Sequence, residues 1–392
     1  MSKVKLALAM IVKPTDEEAK MLDQCLGFVH EHVDGIFITM AGKEPNKKIV
    51  EVCDKYKAKV DFFEWCNDFS KARNHNFSTV SPSYTHILWL DADDGLRDAD
   101  KLKGIIEEHR DVDAFTLNYM YAFDEWKNPI VVHMKTQIVK NDGCVSWVGA
   151  LHEDFKENRK IERYLIKGVE RIHLTTEERI NENKVRNLEV AMHDLKKRPE
   201  DPRSHWNVGN SYKALGDDKA AIEAFETFLK VSQSDDEKYI VRLRRAESFW
   251  SLKEMDKAID EARYAIGTKP EYPDAYHLLG SLYYEQKKFY EARDSYMSGL
   301  IRKPPYYSII VYNPRDYDYV PLMNLAKVYF SLEQPALALE ALQACQKINP
   351  GDKSLQPLID KMQKKSDQFF EVVELVKKLK EEKDNQVLRK EL

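Results

Sequence analysis

From residue 202 onward the chain repeats itself, and nothing else in the sequence restricts its fold as strongly. A small residue, an aromatic three positions later and an alanine twelve after the small one recur four times. The sets are Gly209, Tyr212, Ala221; Ala246, Phe249, Ala258; Gly280, Tyr283, Ala292; and Ala326, Tyr329, Ala338. Ala246 and Gly280 stand 34 residues apart, whereas the step before them is 37 and the step after is 46. The polar segment Ser232 to Glu237 accounts for the first excess, and an insertion over 304–318, rich in tyrosine, accounts for the second.

The period and the residue types resemble the tetratricopeptide repeat, in which each unit is a pair of helices. Small residues let the paired helices approach, the aromatic fills the space beside them, and Pro270, Pro304 and Pro350 end the second helices. Four repeats over 201–352 form an all-α solenoid, preceded by a linker helix at 177–200 with the stripe Leu188, Met192, Leu195. Residues 353–392 supply a capping helix, which a solenoid needs over its last apolar face, and a charged tail helix. The tail carries Phe370, Val373, Val376 and Leu379, a face suited to docking or to a homodimer.

Residues 1–176 follow a different pattern. Apolar runs at Lys5 to Val12, Gly35 to Thr39, Val60 to Glu64 and His86 to Leu90 alternate with helically spaced stretches, the signature of an α/β domain. Runs apolar at nearly every position suit a sheet buried on both faces. After residue 112 the strands crowd together at Ala114 to Phe123, Ile130 to Lys140, Ser146 to Val148 and Tyr164 to Leu174, so the sheet is expected to be mixed.

Composition narrows the partners. Sixty-one Lys and Arg against 66 Asp and Glu leave a formal charge of −5 with no long basic run, which argues against nucleic acid. The N-terminal apolar stretch Leu6 to Val12 ends at Lys13-Pro14, too short for a signal peptide or a membrane span, and a cytoplasmic location is expected. Five cysteines without a CxxC pair indicate neither a zinc site nor a disulfide framework.

The candidate chemistry lies at Leu90-Asp91-Ala92-Asp93-Asp94, where an apolar strand ends in carboxylates. In extended chain Asp91 and Asp93 point the same way, toward the crevice where open α/β sheets bind ligands. Their hard oxygens suit Mg²⁺ or Mn²⁺ with positions left for phosphate.

Four blocks, Leu8-Ala-Met-Ile-Val-Lys13, Asp68-Phe-Ser-Lys-Ala-Arg-Asn74, Leu90-Asp-Ala-Asp-Asp94 and Trp147-Val-Gly-Ala-Leu-His-Glu153, resemble family 2 glycosyltransferases in order and spacing. The resemblance spans residue 4 to about 190 and is closest to the subgroup with a C-terminal tetratricopeptide array. It implies a GT-A fold, a nucleotide-diphosphate sugar donor (a UDP-sugar foremost), a divalent metal and inversion at the anomeric carbon. By the same resemblance Val12, Lys13, Asp68, Arg73, Asn74 and Asp91 face the donor, and Asp91, Asp93, His152 and His173 hold the metal. Glu153 takes the acceptor's proton, with Asp154 second in line. Asp68 alternatively fixes Arg73 or caps a helix. Where the family has an acidic nucleobase-binding turn, this chain reads Thr39-Met40-Ala41-Gly42-Lys43-Glu44, so Glu44 or Asp68 substitutes, or the nucleotide preference shifts, or donor binding is lost.

The implied function is a metal-dependent inverting glycosyltransferase acting on a protein or peptide recruited by the repeats. The alternatives are an inactive scaffold and a transferase for a glycan or lipid-linked acceptor. All four blocks precede Pro199, so the donor half is expected to stand apart from the repeats.

Overall fold

The computed structural model describes residues 3–174, 177–303 and 313–391, with the side chains of 177–182 and 383–391 outside that description. The tyrosine-rich insertion thus lies outside the described residues up to Tyr312.

The α/β half is organised around strand β1 (Leu6–Val12), whose seven side chains are all buried. Its central position causes this, because it pairs in parallel with β2 (Gly35–Gly42) on one side and β4 (His86–Trp89) on the other. Alternation sends Leu6, Leu8, Met10 and Val12 into one core, against Leu22 and Leu26 of α1 (Asp16–Val29) and Ile49 of α2 (Lys47–Lys55). Ala7 and Ala9 face the opposite core with Phe77 of α3 (Phe69–Thr79). The edge strand β3 (Lys59–Glu64) joins β2 in parallel.

Farther along the chain come β5 (Asp94–Arg97), α4 (Leu102–Glu108), β6 (Ala114–Phe123), β7 (Pro129–Lys140), β8 (Val145–Val148), β9 (Asp154–Glu157) and β10 (Arg163–His173). The large sheet runs β3-β2-β1-β4-β7-β6-β10-β5, and β8 and β9 form a separate antiparallel pair. The sheet is mixed: β10 runs parallel to β6 and antiparallel to β5, and β7 is antiparallel to both its neighbours. Two strands escape the sequence pattern, β5 and β9, each only four residues long and each beginning with an aspartate. The acidic residue Asp94 is therefore the first residue of a strand, opposite His173 in register.

The chain divides into two compact units at Glu237–Lys238, and the first retains more than the α/β half. It includes the linker helix α5 (Glu177–Lys197) and the first repeat, α6 (Pro202–Ala214) and α7 (Asp218–Val231). The expected boundary near residue 200 thus moves, because Val190, Ala191 and Val208 share an apolar cluster with Ala150 and Leu151 of the α/β half.

The second unit contains α8 (Asp235–Ser251) from Lys238 onward, α9 (Met255–Thr268), α10 (Asp274–Glu285), α11 (Phe289–Leu300), α12 (Tyr319–Ser331), α13 (Pro335–Ile348) and α14 (Leu355–Glu391). The repeat residues do what their sizes suggest. A Cβ at Gly280 would lie 2.9 Å from the Tyr296 ring, so only glycine permits that approach. Leu355, Ile359 and Met362 of α14 cover Leu339, Leu342 and Cys345, the expected cap. Cap and tail are one continuous helix. Beyond Ser366 its Phe370, Leu375 and Leu379 are exposed, so no described residue of this chain covers them.

Two glycines give a measurable contrast. In α6 a Cβ at Gly209 would lie 2.5 Å from the Phe225 ring of α7, whereas Gly104 in α4 has open space around it. Gly209→Ala is expected to destabilise the protein by about 1–3 kcal/mol through overpacking. Gly104→Ala should stabilise it by about 0.5–1 kcal/mol through lost chain entropy. Urea unfolding midpoints compare the two.

Candidate active site

Strand β4 ends at Trp89, and the chain turns so tightly that Asp94 folds back on Asp91. The Asp91 amide donates to Asp94 Oδ2 at 2.7 Å, and the Asp94 amide donates to the Asp91 carbonyl at 3.1 Å. This turn carries the chain to β5, where Asp94 lies opposite His173, and the Leu174 amide fixes the crossing by donating to the Asp93 carbonyl at 2.7 Å.

Two arginines hold the turn. Arg73 Nη2 donates to Asp91 Oδ1 and Arg171 Nη2 to Asp91 Oδ2, both at 2.7 Å. Arg73 Nε also pairs with Glu153, and Arg171 with the fully buried Asp94. Burial alone would raise the Asp91 carboxyl pKa, but the charges of Arg73 and then Arg171 reverse this and hold it far below the usual carboxylate range. Glu153 is treated alike: burial pushes it up, and Arg73 and then Lys135 bring it below its ordinary value.

Three cations surround the Trp89 indole, with Arg73, Arg171 and Lys135 centred 4.5, 4.8 and 4.9 Å from the ring. The indole is itself anchored by its N–H, which donates to the Thr136 carbonyl at 2.8 Å. Burial lowers the Lys135 pKa, and the charge of Glu153 is the first to oppose that shift. Nearby on β7, His133 is pulled down to about 4 by burial and by the charge of Lys135.

Among the described residues, one set of ligand atoms converges within 4.8 Å: Asp93, Asp94 and His173. His173 Nδ1 lies 3.9 Å from Asp93 Oδ1 and 3.7 Å from Asp94 Oδ1. Asp94 Oδ1 is buried without a hydrogen-bond partner, a costly state for a carboxylate oxygen. Two carboxylates and an imidazole therefore fit a divalent cation of the Mn²⁺ or Mg²⁺ type. His173 Nδ1 is also 2.8 Å from Tyr119 Oη, a bond that a cation at that nitrogen would replace.

Of the residues expected from the sequence to hold a metal, Asp91, Asp93, His152 and His173, the converging group contains Asp93 and His173. Asp91 lies outside that group with each oxygen paired to an arginine, and Asp94 lies within it. His152 lies outside the converging group.

The expected donor-facing residues also divide. Arg73 joins the carboxylate network. Asn74 does not face outward: its side chain donates to the Trp147 carbonyl and accepts from the Trp147 amide, each at 2.9 Å, fastening β8 to α3. Asp68 is the helix cap of α3, accepting from the Lys71 amide at 3.1 Å and the Ser70 hydroxyl at 2.7 Å. Val12 is buried at the end of β1 and Lys13 is exposed just beyond it. Met40 lies inside β2 and in the core, so the turn comes after Gly42 and brings Glu44 into it. Glu153 is buried, whereas Asp154 is exposed on β9 with its carboxylate accepting from the Phe155 amide.

The sequence reading missed Arg171, Lys135, Trp89 and the role of Asp94. Strand alternation contained part of the signal, since Arg171 is two residues before His173 and Trp89 two before Asp91. Lys135 gave none, because a lysine in a polar-flanked strand looks like any solvated one.

Comparison with known proteins bears on the helical half. Tetratricopeptide-repeat family models match residues 209–275, 243–308 and 321–352. Similar solved structures include MamA, at 18% identity over 43% of this chain and 91% of that one, with a TM-score of 0.36. Another is the C-terminal part of a repeat-containing protein from Cytophaga hutchinsonii, at 15% identity over 48% and 68% and a TM-score of 0.41. A thermophilic repeat protein from Thermus thermophilus shows 16% identity over 47% and 93%, with a TM-score of 0.35. No curated protein matches the sequence. The C-terminal part is a tetratricopeptide-repeat solenoid, a class suited to protein partners, and it follows an α/β domain with a mixed sheet. No helix among the described residues is long and apolar enough to cross a membrane.

Arg171 sets the first test of this network. Its side chain and that of Asp94 are 1% and 0% exposed, so removing Arg171 leaves Asp94 charged and buried without its ion-pair partner. Arg171→Met is expected to cost about 3–5 kcal/mol of folding free energy, and adding Asp94→Leu should recover part of that loss. Urea denaturation of the single and double variants measures both.

Proposed function

We propose that this protein is a metal-dependent inverting glycosyltransferase that moves a sugar from a nucleotide diphosphate to an acceptor. The observation that carries the reading is the convergence of Asp93, Asp94 and His173 beside the Arg73–Glu153 pair, at the end of a central strand. The four sequence blocks that resemble family 2 glycosyltransferases support it, since the α/β domain brings Arg73, Asp91 and Glu153 together.

Asp93, Asp94 and His173 would hold Mn²⁺ or Mg²⁺, which when bound supplies positive charge for the leaving diphosphate. The acceptor's nucleophilic atom bonds to the anomeric carbon while the bond from that carbon to the diphosphate oxygen breaks, its electron pair leaving with the nucleotide. The acceptor's proton passes to a Glu153 carboxylate oxygen. Arg73 keeps Glu153 ionised and so able to receive that proton, at some cost in basicity. Asp91, clamped from both sides, keeps Arg73 and Arg171 fixed so that the site requires little reorganisation. Lys135 places a further cation beside Glu153 and Asp91. The repeats recruit the acceptor, for which a protein or peptide is the reading that a tetratricopeptide array supports.

Calorimetry with UDP and Mn²⁺, together with hydrolysis of a panel of nucleotide sugars, tests the assignment. Asp93→Asn should weaken Mn²⁺-dependent nucleotide binding and turnover together. Glu153→Gln should spare nucleotide binding and reduce turnover by ~10²-fold or more. Nucleotide binding and turnover untouched by both substitutions would exclude this mechanism.

A further inference from the structure

The segment Trp147 to Glu153 delivers the proposed base, and its backbone is strained at one residue. Gly149 takes φ 95° freely, whereas His152, a non-glycine residue, has φ 50°. A left-handed conformation costs an ordinary residue roughly 1–2 kcal/mol and persists only where the surroundings enforce it.

The enforcing contacts come from two directions. Asn74 and the start of α3 hold the near end, through the paired bonds to Trp147 and the Phe69 amide donating to the Ala150 carbonyl at 3.0 Å. The next two carbonyls are held by the first helix of the repeats. Asn207 Nδ2 donates to the Leu151 carbonyl at 3.0 Å and Arg203 Nη2 to the His152 carbonyl at 3.2 Å. Asn207 is fully buried, and Val208 beside it packs with Ala150 and Leu151. Three successive carbonyls, 150 to 152, thus receive donors immediately before Glu153.

We infer that Arg203 and Asn207 are positioning residues for Glu153, so that helix α6 of the first repeat is part of the catalytic apparatus and not merely an acceptor-recruiting module. The inference rests on the reading of Glu153 as the base. Through its peptide bond to His152, Glu153 takes its direction from the left-handed turn that α6 holds. Releasing either carbonyl lets His152 relax toward negative φ, which swings the Glu153 carboxylate away from Arg73. Donor binding relies on groups elsewhere, at Asp93, Asp94 and His173, and is not affected by this change.

Full-length Asn207→Leu and Arg203→Met test this, with Arg203→Lys as the variant that retains a donor. Turnover of UDP-glucose, UDP-N-acetylglucosamine and GDP-mannose with Mn²⁺ gives kcat and KM, and hydrogen exchange gives the amide protection of residues 151–154. The expected result is at least a tenfold fall in kcat at unchanged donor KM for Asn207→Leu and Arg203→Met, with tenfold faster exchange at 151–154. Arg203→Lys should restore most of the kcat. A folded Arg203→Met and Asn207→Leu with wild-type kcat overturns the inference, as does a fall in stability alone. If the wild-type protein turns over no nucleotide sugar, the transferase reading fails. Exchange at 151–154 then decides the positioning by itself, and unchanged protection there overturns it.

Discussion

The carboxylate of Asp91, held between Arg73 and Arg171, is the interaction on which the α/β half depends. One residue ties together the end of β4, the body of α3 and the last strand β10. These elements come from three separate stretches of chain, and no apolar contact could fix their angles as one carboxylate bridging two arginines through 2.7 Å charge-assisted bonds does. The two arginines are in turn satisfied by Glu153 and Asp94, so the same network that ties the elements together orients the acids. Trp89 lies among these cations and supplies a polarisable face where water would otherwise be needed. Stability and the geometry of the site are therefore the same set of contacts, and a substitution in one disturbs the other.

Much of this architecture is legible in the sequence because it follows from periodicity. The strand β1, apolar at each position, reads as a central strand, and the small–aromatic–alanine recurrence reads as paired helices. The short strand β5 does not, since four residues starting Asp-Gly carry no alternation to recognise. Missing it hides the pairing of Asp94 with His173, and hence which aspartates meet the histidine. Asp91 is a related case. A carboxylate cluster after a buried strand looks like a ligand set, and only the folded chain shows that Arg171, eighty residues away, pairs with Asp91.

The boundary between the two halves is drawn differently by packing than by sequence pattern. Composition changes sharply near residue 200, and the donor blocks all precede it, so a separable donor half is the natural reading. Packing ignores that change. Asn207 and Val208 carry the repeat pattern, yet their partners are Leu151 and Ala150, and the strained turn at His152 stays formed through contacts from α6. A residue can obey the grammar of one module and serve another.

The account stands or falls on whether the Asp93–Asp94–His173 corner takes up a divalent cation. Electron paramagnetic resonance of Mn²⁺ titrated into the full-length protein reads this directly, because bound ion loses the sharp six-line signal of the free aquo ion. With UDP present, one Mn²⁺ per chain should be silenced, and His173→Ala should return it to the free signal at the same concentrations. A free-ion signal rising in proportion to added Mn²⁺ from the first addition, with or without UDP, would contradict the account.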